Sequence, residues 1–289
     1  MMMATSNAIV GFPRWTAEAT FSATSVDAKY PAANLGTLPL SYPWRSASGA
    51  LSGVSITATM PKLRKVGLVV IGRHNLSITA TARVRVYRDI AKTVLVYDSG
   101  AFRVWPAVFT EDQVDWDGGR WWDRTYADDE VAGYPWYRPI LVPGEEYAMA
   151  VQVDINDPDN TYGYLQISLL EVAAALQFPI NFAYGAQYGY RGRTEAQESD
   201  GGTIQRRRRQ KPRKFVGAIQ YVSRDVALGS FLEMRRQLDI DLPFFWWPDP
   251  TDTVHGLRNA YMAHFTELDL QTYAALDLDG VPFANEEEL

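Results

Sequence analysis

A mainly β protein in two parts is predicted: a two-sheet β-sandwich over residues 1–175, then a smaller α+β sandwich with one helix over 176–289. Three observations carry that expectation. Short apolar segments alternate with turn residues through the first part, and no helical stretch lies among them. Later in the chain, the stretch 223–237 repeats apolar residues at helical spacing. Finally, the run 162–190 changes character at Phe178-Pro179, from a dense apolar strand to glycines alternating with aromatics. Proline bars a central strand position, and glycines at such spacing mark bends, so this run reads as a seam between folding units.

The first part starts with Thr- and Val-rich strand segments at 9–12, 19–26 and 53–60. Between them, Tyr30-Pro31 and Tyr42-Pro43 force extended backbone before each proline, which marks ordered loops. Trp44-Arg45 has two readings: a stacking ring with a guanidinium for a ligand, or a loop Trp that plugs the end of the core. The segment 65–72, KVGLVVIG, is a continuous apolar run and predicts a fully buried strand. The segment 77–88 alternates strictly. Ile78, Ala80, Ala82, Val84 and Val86 face one way, with Arg83 and Arg85 on the solvent side. Further strands are predicted at 94–97, 147–153 and 164–172, and the small residues Ala173 to Ala175 suit close packing. The stretch 154–160 lacks the Gly and Glu of a calcium loop and reads as a polar hairpin connection.

One insertion, 103–139, breaks this rhythm. It mixes eight carboxylates, Glu111 to Glu130, with eight Trp and Tyr rings. Long connections without regular structure are often functional. Trp116, Trp121, Trp122, Trp136 and Tyr137 are candidate contacts to another protein, where Trp and Tyr are common anchors, or to a sugar. Carboxylates beside rings also suit glycoside hydrolysis, but no spacing selects an acid–base pair.

In the second part, 191–214 is polar and basic, with Arg206, Arg207, Arg208 and Arg209 in succession. An Arg-rich strand facing acidic neighbours or solvent accounts for it better than a nucleic-acid site, because no aromatics are interleaved. A strand at 215–222 follows. Ser223 then caps a helix whose stripe is Ala227, Phe231, Met234 and Leu238. Strands are predicted at 244–247, 259–268 and 272–278, before an acidic tail at Asn285 to Glu288.

Composition excludes several classes. The chain has 289 residues and no cysteine, which removes disulfides, Cys-bound zinc and thiol nucleophiles. His74, His255 and His264 are scattered, and neither a nucleophile elbow nor a glycine-rich phosphate loop occurs. Catalytic residues, cofactors and metal ligands are therefore not expected, and the protein reads as a non-enzyme. A net charge of −6 argues against sequence-specific nucleic-acid binding. No apolar run is long enough for a membrane span, and the N-terminus lacks the basic and apolar regions of a signal peptide.

The order Tyr30-Pro31-Ala32-Ala33-Asn34-Leu35, Trp44-Arg45-Ser46, then buried strands, resembles the galactose-binding-like (discoidin-like) jelly-roll domains of tailed-phage virion proteins. The seam 178–185, the helix and Trp246-Trp247-Pro248-Asp249-Pro250 are similar to the C-terminal part of those proteins. The resemblance implies a jelly-roll sandwich followed by a tail-tube-like domain. It implies a structural subunit similar to distal tail proteins, in a phage tail tip or baseplate, ring-forming around the tail axis and assembled into virions in the host cytoplasm. Its neighbours would be the tail tube, hub, tape measure or fibres. Arg206 to Arg209 and the acidic tail would supply charge between copies. A carbohydrate- or host-surface-binding module using the Trp-rich insertion stays open as the alternative.

Overall fold

The computed structural model describes residues 6–131 and 133–289. The chain is mainly β and divides into two compact units. One takes the chain up to Gln177 together with Phe245–Tyr261; the other is Phe178–Phe244 with Met262–Leu289. The segment 245–261, read from sequence as part of the second domain, thus belongs to the first unit. Its pairing partner lies more than 230 residues away, a distance at which sequence pattern carries no signal. Among the described residues no helix is long and apolar enough to cross a membrane.

The first unit is an antiparallel β-sandwich. Its strands are β1 (Ile9–Arg14), β2 (Thr20–Ala23), β3 (Trp44–Arg45), β4 (Val54–His74), β5 (Thr81–Tyr87), β6 (Leu95–Arg103), β7 (Tyr137–Asn156) and β8 (Gln166–Gln177). The returning strand Phe244–Trp247 pairs with β1, Val10 opposite Trp246. The long strands β4 and β7 link the two layers. The first half of β4 pairs with β2 and with the end of β7; its second half pairs with β8 and the start of β7. Irregularities at Thr59/Arg64 and Val66/Leu68 break the register between the halves, and such bulges bend a strand. Val54, Ile56, Ala58 and Met60 alternate inward, as a half-buried strand requires, and meet Val69, Ile71, Val151, Val153, Leu170 and Val172 in the core. Within the run predicted at 65–72, residues 66–72 are buried on both faces, and only Lys65 is exposed.

Several local readings can be compared directly. The strand expected from Ser77 begins only at Thr81. Residues 77–80 form a turn closed by Ala80 N–H to Ser77 O (3.1 Å), and this leaves Ile78 exposed. Arg83 and Arg85 pair with Asp98 and Asp154. Trp44 is fully buried in the core, while Arg45 is held between the rings of Tyr30 and Tyr164, its Nε donating to Gln166 Oε1 at 2.8 Å. This is the plug, not the ligand arrangement. Close packing at the alanines is real: a Cβ on Gly67 would lie 2.8 Å from the backbone nitrogen of Ala175. Deeper in the unit, Arg14 reaches the fully buried Glu171 through two parallel bonds, Nε to Oε1 at 2.7 Å and Nη2 to Oε2 at 2.8 Å.

The second unit holds β9 (Gln187–Tyr190), β10 (Glu195–Glu198), β11 (Ile204–Arg207) and β12 (Arg213–Ser223). After the returning strand, here β13, come β14 (Tyr261–Phe265), β15 (Thr272–Ala275) and β16 (Leu278–Glu287). Its sheet runs β14-β16-β12-β9, with β15 added beside β16. The helix 224–238 buries the predicted stripe of Ala227, Phe231, Met234 and Leu238, with Ala227–Leu232 wound as a π segment. Ser223 stands at the N-cap position but its hydroxyl makes no capping bond. Instead the N–H of Arg224 donates to the carbonyl of Asp277 at 3.0 Å.

The acidic tail is corrected by the structure. Asn285, Glu286 and Glu287 are buried in β16. Glu287 accepts from Arg213 at 2.5 and 2.9 Å, with side-chain exposures of 2% and 4%, and Arg191 approaches Glu286 at 3.3 Å. These carboxylates neutralise the chain's own arginines and are not free to meet another copy.

Candidate functional site

Two places carry exposed, chemically distinctive groups: the aromatic insertion with the loops beside it, and the basic hairpin of the second unit. The insertion is folded onto its own small core. Trp105 stacks on Trp136 with ring centres 4.5 Å apart and planes at 11°, and Tyr126 meets Trp136 edge-on at 5.6 Å. Val108 and Leu257 complete the cluster. The Tyr126 hydroxyl lies 3.0 Å from the carbonyls of Thr253 and Val254 and accepts the N–H of Leu257 at 3.3 Å. A short 3-10 turn at Glu111–Gln113 and a helical turn at Asp128–Val131 punctuate the segment. Three of its carboxylates are paired: Asp123 with Arg103 (2.8 Å), Glu130 with Arg120 (2.6 Å) and Glu111 with Arg124 (3.1 Å).

This arrangement separates the five predicted contact rings. Trp116 and Trp122 stand out from the surface at 80% and 86% exposure, and Trp121 is half-buried. Trp136 and Tyr137 are buried, which removes them from any contact surface. Trp136 is fixed by the Trp105 stack. Tyr137 packs over Gly72, where a Cβ would stand 2.7 Å from its ring, and against Phe245 at 5.9 Å. The first unit thus presents two protruding tryptophans.

Sequence reasoning missed a cleft of about 300 Å³ beside the insertion. Trp105, Tyr126 and Val131 form one wall; the loops around Asn75 to Ile78 and Asp159 to Tyr162 form the others. Asp157 ties the two loops together. Its carboxylate accepts the N–H of Ser77 (2.9 Å), the hydroxyl of Ser77 and the amide of Asn160 (2.9 Å). The only signal in the sequence was the polar character of both loops. The cleft offers ring faces, amides, hydroxyls and one carboxylate, Asp159, whose Oδ2 accepts from Thr79 at 2.9 Å. That set suits binding of a polyhydroxylated ligand better than hydrolysis, which uses two carboxyl groups. Among the described residues, no group of three His, Asp or Glu side chains is placed to hold a metal ion.

His74 lies under this wall, edge-on to Trp105 at 5.7 Å, with Nδ1 accepting the N–H of Leu76 at 3.3 Å. Burial pushes its pKa from 6.5 down to about 3, because an imidazolium there would be stripped of water. The folded protein holds a neutral ring while the unfolded chain takes up a proton below about 6.5. This contribution therefore falls away as pH drops from about 6.5 towards 3, by about 4–5 kcal/mol in full. His74→Asn keeps an acceptor near the Nδ1 position without the titration. Urea unfolding followed by tryptophan fluorescence is expected to show a steeper acid loss in the wild type than in the variant; equal slopes would refute the assignment.

In the second unit, β10 and β11 pair with each other as a hairpin, Ala196 opposite Arg206 and Glu198 opposite Ile204. Every residue from 187 to 211 is exposed. Arg209 pairs with Glu195 at 2.6 Å, while Arg206, Arg207 and Arg208 extend into solvent. The stretch 191–214 carries nine basic and three acidic residues, a local charge of +6 in a chain of −6, which leaves −12 on the rest.

No protein-family model matches the chain, and no curated protein matches it. Among solved structures, it is similar to the family 32 carbohydrate-binding module of Clostridium perfringens NanJ, solved in complex with galactose. That likeness has 16% identity and a TM-score of 0.37, over 57% of this chain and 98% of that one. It is similar to chitosan-binding module 1 from a chitosanase/glucanase of Paenibacillus sp. IK-5, at 16% identity and TM-score 0.37, over 56% and 98% of the two chains. It is also similar to a GH29 fucosidase of Ruminococcus gnavus in complex with fucose, at 15% identity and TM-score 0.38. There it spans 57% of this chain but only 28% of the longer one.

Proposed function

We propose that this chain is a non-catalytic structural subunit of a phage tail tip or baseplate, assembling as a ring around the tail axis and docking neighbouring tail proteins in the virion. The observation that carries the reading is the naked hairpin of β10 and β11. A lone two-stranded hairpin is at best marginally stable in water, and exposed strand edges invite pairing. A hairpin whose residues are all exposed is therefore an arm awaiting a surface. Tyr184 and Tyr188, almost fully exposed beside it, add apolar area of the kind that interfaces cover. A contact that is not self-complementary closes into a ring when its rotation allows. Light scattering of the purified chain at several salt concentrations tests this. A closed oligomer that loosens as salt rises is expected; a monomer under all conditions would overturn the reading.

A second reading, favoured by the cleft at Trp105, Tyr126 and Tyr162, gives the first unit a glycan-contact role beside the assembly role of the second. Glycan-array binding is then expected, with Tyr162→Ala weakening it about tenfold, the scale of losing a central ring contact. An array without hits removes this reading and leaves the assembly role standing.

A further inference from the structure

We propose that the arm formed by β10 and β11 binds the phosphate backbone of duplex nucleic acid, without preference for sequence. This goes beyond the assembly reading and does not depend on it. Tyr184 and Tyr188, offered there for contacts between copies, lie outside the arm.

Charge that the chain itself neutralises is set aside first. Arg191 and Arg213 face Glu286 and Glu287, and Arg209 faces Glu195. Among the described residues this leaves Arg193, Arg206, Arg207, Arg208 and Lys211 exposed and without an ion pair. The arm's other carboxylates, Glu198 and Asp200, stand at its far end, beside the turn where Ser199 N–H donates to Thr203 O at 3.0 Å. The tip is therefore acidic and the stem basic. Arg206 shares a face with Glu198, standing opposite Ala196 while Glu198 stands opposite Ile204. Even with Glu198 set against Arg206, four free cations remain on the stem. The rest of the chain, at −12, repels a polyanion and confines its contact to the arm.

Shape selects the polyanion. β9 pairs with β12, Arg191 N–H donates to Pro212 O at 3.0 Å, and β10 pairs with β11. Two antiparallel stretches thus run side by side from the sheet edge out to the turn, as a two-stranded ribbon. Such a ribbon is an element that the major groove of duplex DNA, about 12 Å wide, admits between its two phosphate walls. Arg206 and Arg207 are successive strand residues and point to opposite faces. A flat acidic protein surface meets only one of those faces, whereas phosphates on two walls meet both. Guanidinium also suits the ligand, since its fork donates two bonds to one phosphate. The residues 191–214 include no aromatic ring. That removes the stacking by which single strands are held, and leaves backbone contact with a duplex untouched.

Fluorescence anisotropy with labelled duplexes of two unrelated sequences tests this on the full chain, in whichever oligomeric state it adopts. Both duplexes are expected to bind alike, with log K falling against log salt at a slope of about −4. Arg206→Gln, Arg207→Gln and Arg208→Gln together are expected to weaken binding at least about tenfold at low salt and to flatten that slope by about 3. A control, Lys29→Gln with Lys62→Gln and Arg88→Gln, removes the same charge from exposed positions of the first unit. It is expected to change binding by less than about threefold, because salt screens distant charges. All six positions are exposed, so circular dichroism should be unchanged in both variants. Four results would each overturn the inference: no binding by the wild type, equal loss in the two variants, tighter binding of a single strand of the same length, or displacement by polyglutamate as readily as by unlabelled duplex. None of them touches the assembly reading, which light scattering decides.

Discussion

Glu171→Gln is expected to destabilise the first unit by about 3–5 kcal/mol, the cost of leaving a buried partner charge uncompensated. Glu171 is fully buried and takes both bonds of a parallel guanidinium–carboxylate pair with Arg14. The amide keeps the shape of the side chain but removes its charge and one acceptor. Arg14 is then left charged, and its side chain has only 9% of its surface in water. The pair as a whole need not be stabilising. Replacing both members, Arg14→Met with Glu171→Leu, is expected to recover most of the loss, because two desolvation costs vanish together. All nine tryptophans lie in the first unit, so urea unfolding monitored by their fluorescence reads this change directly. A single-variant loss below about 1 kcal/mol, the range of a surface pair, would show that the bond is not sealed from solvent.

Phe283→Ala is expected to cost the second unit about 3–5 kcal/mol through cavity formation. Phe283 is the hub of an aromatic cluster, with ring centres of Phe178, Phe265, Phe182 and Phe244 at 5.5, 5.4, 6.0 and 6.0 Å. Each edge-on neighbour loses both buried area and a favourable ring contact. Amide exchange of β12 and β16 is the appropriate measurement, because β16 carries Phe283, β12 pairs with it, and the unit holds no tryptophan. Protection should fall by at least about a hundredfold, and Phe283→Leu should lose less than half as much free energy. Unchanged protection in Phe283→Ala would place the unit's stability elsewhere.

What the sequence made legible and what it hid follow from the range of the interactions involved. Alternation within 77–88, the apolar run 65–72 and the helical stripe from Ala227 to Leu238 are local patterns: the stripe formed as read, the run is buried from Val66, and the alternating strand formed over 81–87. β16 was hidden because burial of Glu287 depends on Arg213, which lies 74 residues earlier. Nothing in Asn285-Glu286-Glu287-Glu288 itself distinguishes a solvated tail from a neutralised strand. Trp136 and Tyr137 likewise read as contact rings until Trp105 and Gly72 supplied the surfaces that bury them. The cleft escaped because the insertion stood out in the sequence but the two polar loops that complete its walls, around Asn75 to Ile78 and Asp159 to Tyr162, come from distant positions in the chain. Arg206 to Arg208 were legible as exposed charge, since four arginines in succession leave little alternative to solvent or a partner.

The return of Phe244–Trp247 to pair with β1 sets the order in which this protein can mature on the ribosome. A nascent chain that has emerged only to Gln177 holds β1 against β8 with its other edge bare at Ile9 and Val10. Closure of that edge waits for the returning strand to leave the exit tunnel, after the whole basic hairpin has been synthesised. A stop codon after Gln177 would accordingly yield a sticky fragment in place of a freestanding sandwich. Vectorial synthesis thus couples completion of the first unit to translation of most of the second.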